Sequence, residues 1–283
     1  MHMSLPKFTT TSEEELEKAR KKVFYGNGMY IFRSVIERED ALKIKNLFLI
    51  KNPEVFTKVS SGGNHRLFFY PESPFFHPPF VKFLWEKICY IRNDLYEGHP
   101  WFESYKERNG LKDKNSSKIL DFQRKHNWSC FYWYKKNETH YKHIDEDGEL
   151  ACFLILSEKG KDYLDGGLYV YRDKSDADGI LADSDYNLGD LVIFDQSRFY
   201  HEVKNLEIGN GIGRFQFYIP NIPDGRINNY LTFEGSNKVY FSKPTNFLNR
   251  IFVQFKQLLK KDEIHYSRKA IQYNDKKSPE FNS

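Results

Sequence analysis

The chain has 283 residues, enough for one large domain or two small ones, and its 40% hydrophobic and 29% charged residues exclude an intrinsically disordered chain. A net charge of +4 with dispersed basic residues argues against a nucleic-acid partner, and no apolar run reaches membrane-spanning length, so neither nucleic acid nor membrane is expected. The 17% aromatic content points instead to a β-rich protein with aromatic-lined interior space.

In chain order, "TTSEEELEKARKKVF" places Thr11 and Glu14 at capping-box spacing, with acidic residues early and basic ones late, and predicts a first helix. The β-branched and aromatic run "MYIFRSVI" predicts a strand. In "EREDALKIKNLFLI", Ala41, Leu42, Ile44, Leu47 and Phe48 recur at roughly helical spacing. "SPFFHPPFVKFLWEKICYIRNDLYEG" opens on prolines and carries Phe83, Leu84, Ile88 and Ile91 on one face, the pattern of a long helix.

From about Asn127 the pattern changes to short apolar runs parted by Gly, Asp and Asn: "WSCFYWY", "LACFLILS", "GGLYVYRD", "GDLVIFDQ" and "GRFQFYIP". Such spacing predicts an antiparallel sandwich or barrel. Beyond Pro223 the chain turns polar and then reads "NFLNRIFVQFKQLLKK", where Phe247, Leu248, Ile251, Phe255, Leu258 and Leu259 form one apolar face of a predicted packed helix; the tail "NDKKSPEFNS" is expected to be disordered. The expected organisation is a helical and strand support at 1–126, a catalytic core at 127–223 and a C-terminal extension at 224–283, together one domain. Three cysteines, Cys89, Cys130 and Cys152, are odd in number and widely spaced, which fits buried thiols in a reducing compartment. With no signal-peptide core near the N-terminus, a cytoplasmic setting is expected. The oligomeric state is not legible.

The chemistry gathers in "ETHYKHIDEDGE", Glu138 to Glu149. His143 and Asp145 stand two residues apart, so on a strand they share a face. A lone His-x-Asp pair is more often a polar loop, and the context decides. The pair is read at the start of a strand, and His201 at the end of the Gly-Asp-initiated strand "GDLVIFDQSRFYHEV". Arg214 follows in the next strand, "GRFQFYIP". Two imidazoles and a carboxylate on one face of an iron ion leave the other face open, the facial triad of non-heme Fe(II) oxygenases. An arginine can grip a carboxylate with two parallel hydrogen bonds.

With these motifs on roughly Trp128 to Pro220, the sequence resembles the 2-oxoglutarate- and Fe(II)-dependent dioxygenases, most nearly their prolyl-hydroxylase-like branch. "DGGLYVY" and "FYHEV" look like that branch's Gly-Gly strand and His-Glu-Val ending. Its Tyr, Gly, Tyr series falls on Tyr134, Asn137 and His140, of which only Tyr134 matches. The resemblance implies an α+β fold: a double-stranded β-helix (jelly-roll, cupin-like) core with supporting N-terminal helices and a C-terminal helix. It implies Fe(II) held by His143, Asp145 and His201, with 2-oxoglutarate and O2 as cosubstrates and Arg214 on the far carboxylate of 2-oxoglutarate.

One subgroup of that branch has a cosubstrate-binding tyrosine on the strand matching "CFLILS", where this chain is apolar; Tyr132 and Tyr134 are the candidates for that phenol, with core packing as the other reading of both. His140 is a rival ligand, read instead as a group beside the ligands or the substrate. Gln216 and Tyr218, which share a strand face with Arg214, and Arg198 and Trp133 are the remaining candidates for substrate contacts. The acidic loop "DKSDADGILADSD" is either a lid or a solvated surface.

The implied activity is oxidation of an unactivated C–H bond by hydroxylation, desaturation or oxidative cyclisation. The expected substrate is a small amino-acid-like or secondary-metabolite molecule, with succinate and CO2 as coproducts. The alternatives are a peptidyl, prolyl-type hydroxylase and a non-catalytic cupin-like binding module.

Overall fold

The computed structural model describes residues 5–58, 64–69, 79–126, 129–145 and 150–220, and the backbone of 230–234, 238–242 and 265–266. Helix α1 spans Glu13–Tyr25 and buries Leu16, Ala19 and Val23. Its cap is Ser12, whose Oγ accepts from the Glu15 amide, one residue along from the expected Thr11 and Glu14. Both pairs have cap chemistry, and the register that turns Leu16, Ala19 and Val23 inward selects the later one. Strand β1 (Met29–Phe32) and helix α2 (Arg38–Lys45) follow, the latter running into a π-helical turn at Asn46–Ile50. Helix α3 (Pro79–Tyr96) starts on a proline and buries Leu84, Ile88 and Ile91 as expected, with Trp85 and Leu95 beside them. Two further helices, α4 (Pro100–Arg108) and α5 (Ser116–His126), complete the helical layer.

The larger sheet combines strands from both halves of the described chain: β2 (Thr57–Lys58) and β3 (His65–Phe69) join β4 (Ser129–Tyr134), β6 (Leu150–Ile155), β9 (Leu191–Asp195) and β11 (Arg214–Ile219) in the order β1-β9-β6-β11-β4-β3-β2. The smaller sheet contains β5 (His140–His143), β7 (Asp165–Tyr171), β8 (Ile180–Leu181) and β10 (Tyr200–Glu207) in the order β5-β10-β7-β8. Every pairing in both sheets is antiparallel. From β4 to β11 the chain winds back and forth between the sheets, which is the double-stranded β-helix, and helices cover one face of the larger sheet.

Covering both faces explains the sequence pattern. Phe131, Leu154, Phe215 and Phe217 pack outward against the helices, while Cys130, Phe153, Val192 and Tyr218 pack inward, so the strands read as unbroken apolar runs. Phe131 alone meets Phe48, Phe217 and Phe215 at ring separations of 4.4, 4.7 and 5.4 Å. Burying such a ring contributes about 3 kcal/mol. All three cysteines are buried and unpaired.

The backbone of β12 (Tyr230–Glu234), β13 (Lys238–Ser242) and β14 (His265–Tyr266) forms a separate three-stranded sheet. The helix expected at 246–261 and the tail after it lie outside the described residues. No described helix is long and apolar enough to cross a membrane.

Candidate metal centre

In the smaller sheet His143 of β5 stands opposite His201 of β10, with ring centres 4.2 Å apart. The next pairing is His140 with Val203, so three steps on β5 face two on β10. This bulge brings His140 to the same side as His143, 4.5 Å away between ring centres, although their odd spacing would separate them on a regular strand. Asn137 takes a positive φ of 61°, a conformation asparagine tolerates better than most residues.

Two sequence expectations are corrected here. The His-x-Asp pair ends β5 instead of starting a strand, and Asp145 lies beyond it, so strand alternation does not orient its side chain. The Asp145 amide instead donates to the Gln196 carbonyl at 3.0 Å, which fixes the chain as it leaves β5. Likewise β9 ends at Asp195 and a turn intervenes, so His201 is the second residue of β10 and not the end of the Gly-Asp strand.

Asp145 reaches both imidazoles, Oδ1 lying 3.9 Å from His143 Nε2 and Oδ2 3.6 Å from His201 Nε2. Each histidine has its Nδ1 on the carbonyl two residues back: His143 on Tyr141 at 2.7 Å and His201 on Phe199 at 3.1 Å. A carbonyl only accepts, so Nδ1 carries a proton in each ring, which leaves Nε2 as the nitrogen able to ligate a metal. Burial first, and then His143, push the pKa of His201 down to about 4, so this imidazole is neutral at pH 7 as a metal ligand must be. The ligand-capable atoms of the three residues lie within 4.8 Å of one another, and His140 is not part of that set. Burial, His143, Arg66 and His201 hold the pKa of His140 well below its ordinary value. Two imidazoles and one carboxylate fit a divalent first-row metal with coordination positions left over.

Sequence reasoning missed Gln196. Its backbone positions Asp145, its Nε2 lies 3.1 Å from His201 Nε2, and its Oε1 accepts from the Tyr218 hydroxyl at 3.3 Å. Tyr218 therefore reaches the His201 side of this cluster from the larger sheet.

Arg214 opens β11 and points into the interior. Its Nε and Nη2 donate to Asp183 Oδ2 and Oδ1 at 2.6 and 3.1 Å, and the Tyr163 hydroxyl donates to the same Oδ2 at 2.7 Å. Asp183 comes from the acidic loop read as a lid or a solvated surface, and it is buried. Gly167 of β7 makes room for it, since a Cβ there would collide with Asp183 Oδ2 and its φ of +109° favours glycine. Arg214 Nη1 is buried and makes no hydrogen bond among the described residues, so the guanidinium keeps a donor for an anion.

Tyr134 lies beside Arg214, whose Cζ is 5.7 Å from the ring centre. Tyr132 stacks on Tyr218 at 4.9 Å, and Gln216, in register with Tyr132, has a buried Oε1 without a partner among the described residues. Trp133 does not line this interior. Strand alternation turns it outward, where it packs on Phe56 and donates from Nε1 to the Ile212 carbonyl at 2.7 Å. Arg198 is not a substrate clamp either. Its guanidinium donates to the carbonyls of Val23, Phe24 and Gly26, groups that the end of α1 leaves without helical partners.

No family model matches the sequence, and no curated protein matches it. Among solved structures the chain is similar to a Pseudomonas putida prolyl-4-hydroxylase at 14% identity and a TM-score of 0.47, covering 72% of this chain and 96% of that one. An oxidoreductase of the 2OG-Fe(II) oxygenase family from Burkholderia pseudomallei is similar at 11% identity and a TM-score of 0.46, over 77% and 95% of the two chains. The non-heme alpha-ketoglutarate-dependent epimerase SnoN from nogalamycin biosynthesis is similar at 9% identity and a TM-score of 0.48, over 77% and 90%.

Proposed function

We propose that this chain is an Fe(II)- and 2-oxoglutarate-dependent oxygenase that oxidises a C–H bond of a small, amino-acid-like or secondary-metabolite substrate. The observation that carries it is the convergence of one ligand-capable atom each from His143, His201 and Asp145 within 4.8 Å, each imidazole held in the ligand tautomer by a backbone carbonyl. Arg214, whose Nη1 has no hydrogen-bond partner among the described residues, lies in the interior of the same β-sandwich.

The chemistry such a bound iron supplies is activation of dioxygen coupled to oxidative decarboxylation of 2-oxoglutarate. In a hydroxylation one oxygen atom ends in succinate and the other in the alcohol, and CO2 leaves. The protein's own residues bind and position. His143, Asp145 and His201 would hold the iron through two imidazole nitrogens and a carboxylate oxygen. Arg214 Nη1 offers a charge-assisted donor to the distal carboxylate of the cosubstrate.

His140 lies beside His143 and Tyr218 reaches Gln196 next to His201, and the buried acceptor Gln216 Oε1, two residues before Tyr218 on β11, suits a hydroxyl or N–H of a small polar substrate. Residues 127–223 carry the catalytic core in this reading, with 1–126 as its support and 224–283 as an extension. The buried, unpaired cysteines fit a reducing, cytoplasmic setting.

The test is production of succinate from 2-oxoglutarate by the iron-loaded protein, with and without O2 and in the presence of candidate amino acids and metabolites. Turnover that requires both iron and O2, and that a substrate stimulates, is expected. Iron binding with no succinate under any condition would favour a non-catalytic binding module.

A further inference from the structure

Gln196 follows β9 at the start of the turn that leads to β10, and it is buried. Two contacts, one to each sheet, hold its side-chain amide. Nε2 lies 3.1 Å from His201 Nε2, and Oε1 accepts from the Tyr218 hydroxyl at 3.3 Å. Which end of the amide faces which partner follows from the imidazole. His201 Nδ1 donates to the Phe199 carbonyl, so Nε2 is the acceptor of the neutral ring and takes the amide N–H. That leaves the amide oxygen for Tyr218.

The lone pair that accepts this N–H is the one a metal ion needs. The same nitrogen faces Asp145 Oδ2 at 3.6 Å, on the side where the three candidate ligands meet. One lone pair cannot serve an amide and a metal together, so an ion bound at His201 breaks the Gln196 contact. The amide does not leave the site when that happens, because Tyr218 holds its oxygen. An amide N–H cannot ligate a metal, and a buried donor without an acceptor is costly. The acceptors that come with a bound metal are the oxygen atoms of the molecule chelated to it.

We propose that Gln196 competes with the metal for His201 and, once displaced, donates its N–H to a chelating oxygen of the 2-oxo acid. This inference rests on the oxygenase reading above and goes beyond it: the chelating end of the cosubstrate gains a hydrogen bond from the protein that the three ligands do not supply. The backbone carbonyl of Gln196, which accepts from the Asp145 amide, is common to every residue type. The side chain can therefore be changed without removing that support from Asp145.

The test reads two equilibria on the full chain. Co(II) alone is titrated into the metal-free protein, following its visible ligand-field absorption. 2-Oxoglutarate is then titrated anaerobically into the Fe(II)-loaded protein, following the charge-transfer absorption of the chelate. Gln196→Leu removes both amide contacts. It is expected to bind Co(II) about 2- to 10-fold more tightly, the effect of one neutral hydrogen bond, and to bind 2-oxoglutarate about 10-fold more weakly. Tyr218→Phe keeps the amide and the shape of the ring but removes the hydroxyl that holds Oε1. It should move both affinities in the same directions by smaller factors.

The opposite signs distinguish this role from a structural one. A side chain that merely supports the fold would weaken both equilibria when removed, and that result in Gln196→Leu would overturn the proposal. Unchanged Co(II) affinity would also overturn it, because His201 would then not be contested, and so would unchanged 2-oxoglutarate affinity. A wild type that binds both metals but gives no chelate absorption would refute the oxygenase reading instead, and the Co(II) titration alone would then decide whether Gln196 competes for His201.

Discussion

Asp183 and Arg214 form a bidentate ion pair between the two sheets, both residues almost wholly buried and the Asp183 carboxylate also accepting from Tyr163. Asp183→Ala leaves a buried guanidinium without its counter-ion, and is expected to cost about 3–5 kcal/mol in urea unfolding. A loss below about 1 kcal/mol would mean that Arg214 does not depend on Asp183 in solution.

Gly167 tests the same pair from another strand. Gly167→Ala introduces a Cβ where Asp183 Oδ2 lies and places a side chain at φ +109°. It should destabilise the protein by about 1–3 kcal/mol and weaken 2-oxoglutarate binding, although Gly167 is not proposed to touch the cosubstrate. Unchanged cosubstrate affinity in a measurably destabilised variant would separate the ion pair from the binding site.

His201 gives the metal-free protein a pH dependence. Burial and then His143 hold it at about 4, against an ordinary value near 6.5 that applies to the unfolded chain. Between these values the unfolded chain takes up a proton that the folded chain refuses. Stability from this group is therefore complete above about pH 6.5 and falls by roughly 3 kcal/mol as the pH drops to about 4. Urea unfolding across that window should show a steeper acid loss in the metal-free wild type than in His201→Gln; equal slopes would contradict it.

Arg198 should behave as a structural residue. Arg198→Ala removes donors from the Val23 and Phe24 carbonyls and is expected to cost about 1–2 kcal/mol of stability without changing the KM for 2-oxoglutarate or the substrate. A large rise in substrate KM at unchanged stability would return it to the binding site.

Much of the β-core is legible in the sequence because the larger sheet is buried on both faces, so its strands stand out as apolar runs bounded by turns. The same property hid which way each residue points: in "CFYWY" every position is aromatic or apolar, and Trp133 could not be told from its inward neighbours Tyr132 and Tyr134. The residue types of the triad were readable from spacing. Its geometry was not, because Asp145 is oriented by the Gln196 carbonyl, a contact of backbone atoms that leaves no mark on composition.

Asp183 was hidden for another reason. It sits in an acidic stretch that composition assigns to solvent, and only the fold brings it under Arg214. Arg66 went unread because it is a charged residue in β3 where an inward apolar side chain would be expected.

The most direct test of the central claim is the anaerobic Fe(II) and 2-oxoglutarate titration of the wild type beside His143→Ala and Asp145→Ala, each first shown to be folded by circular dichroism. The chelate absorption is expected in the wild type and should be lost or weakened by at least about tenfold in both variants. Full absorption in either variant would contradict the assignment of His143, Asp145 and His201 as the iron ligands.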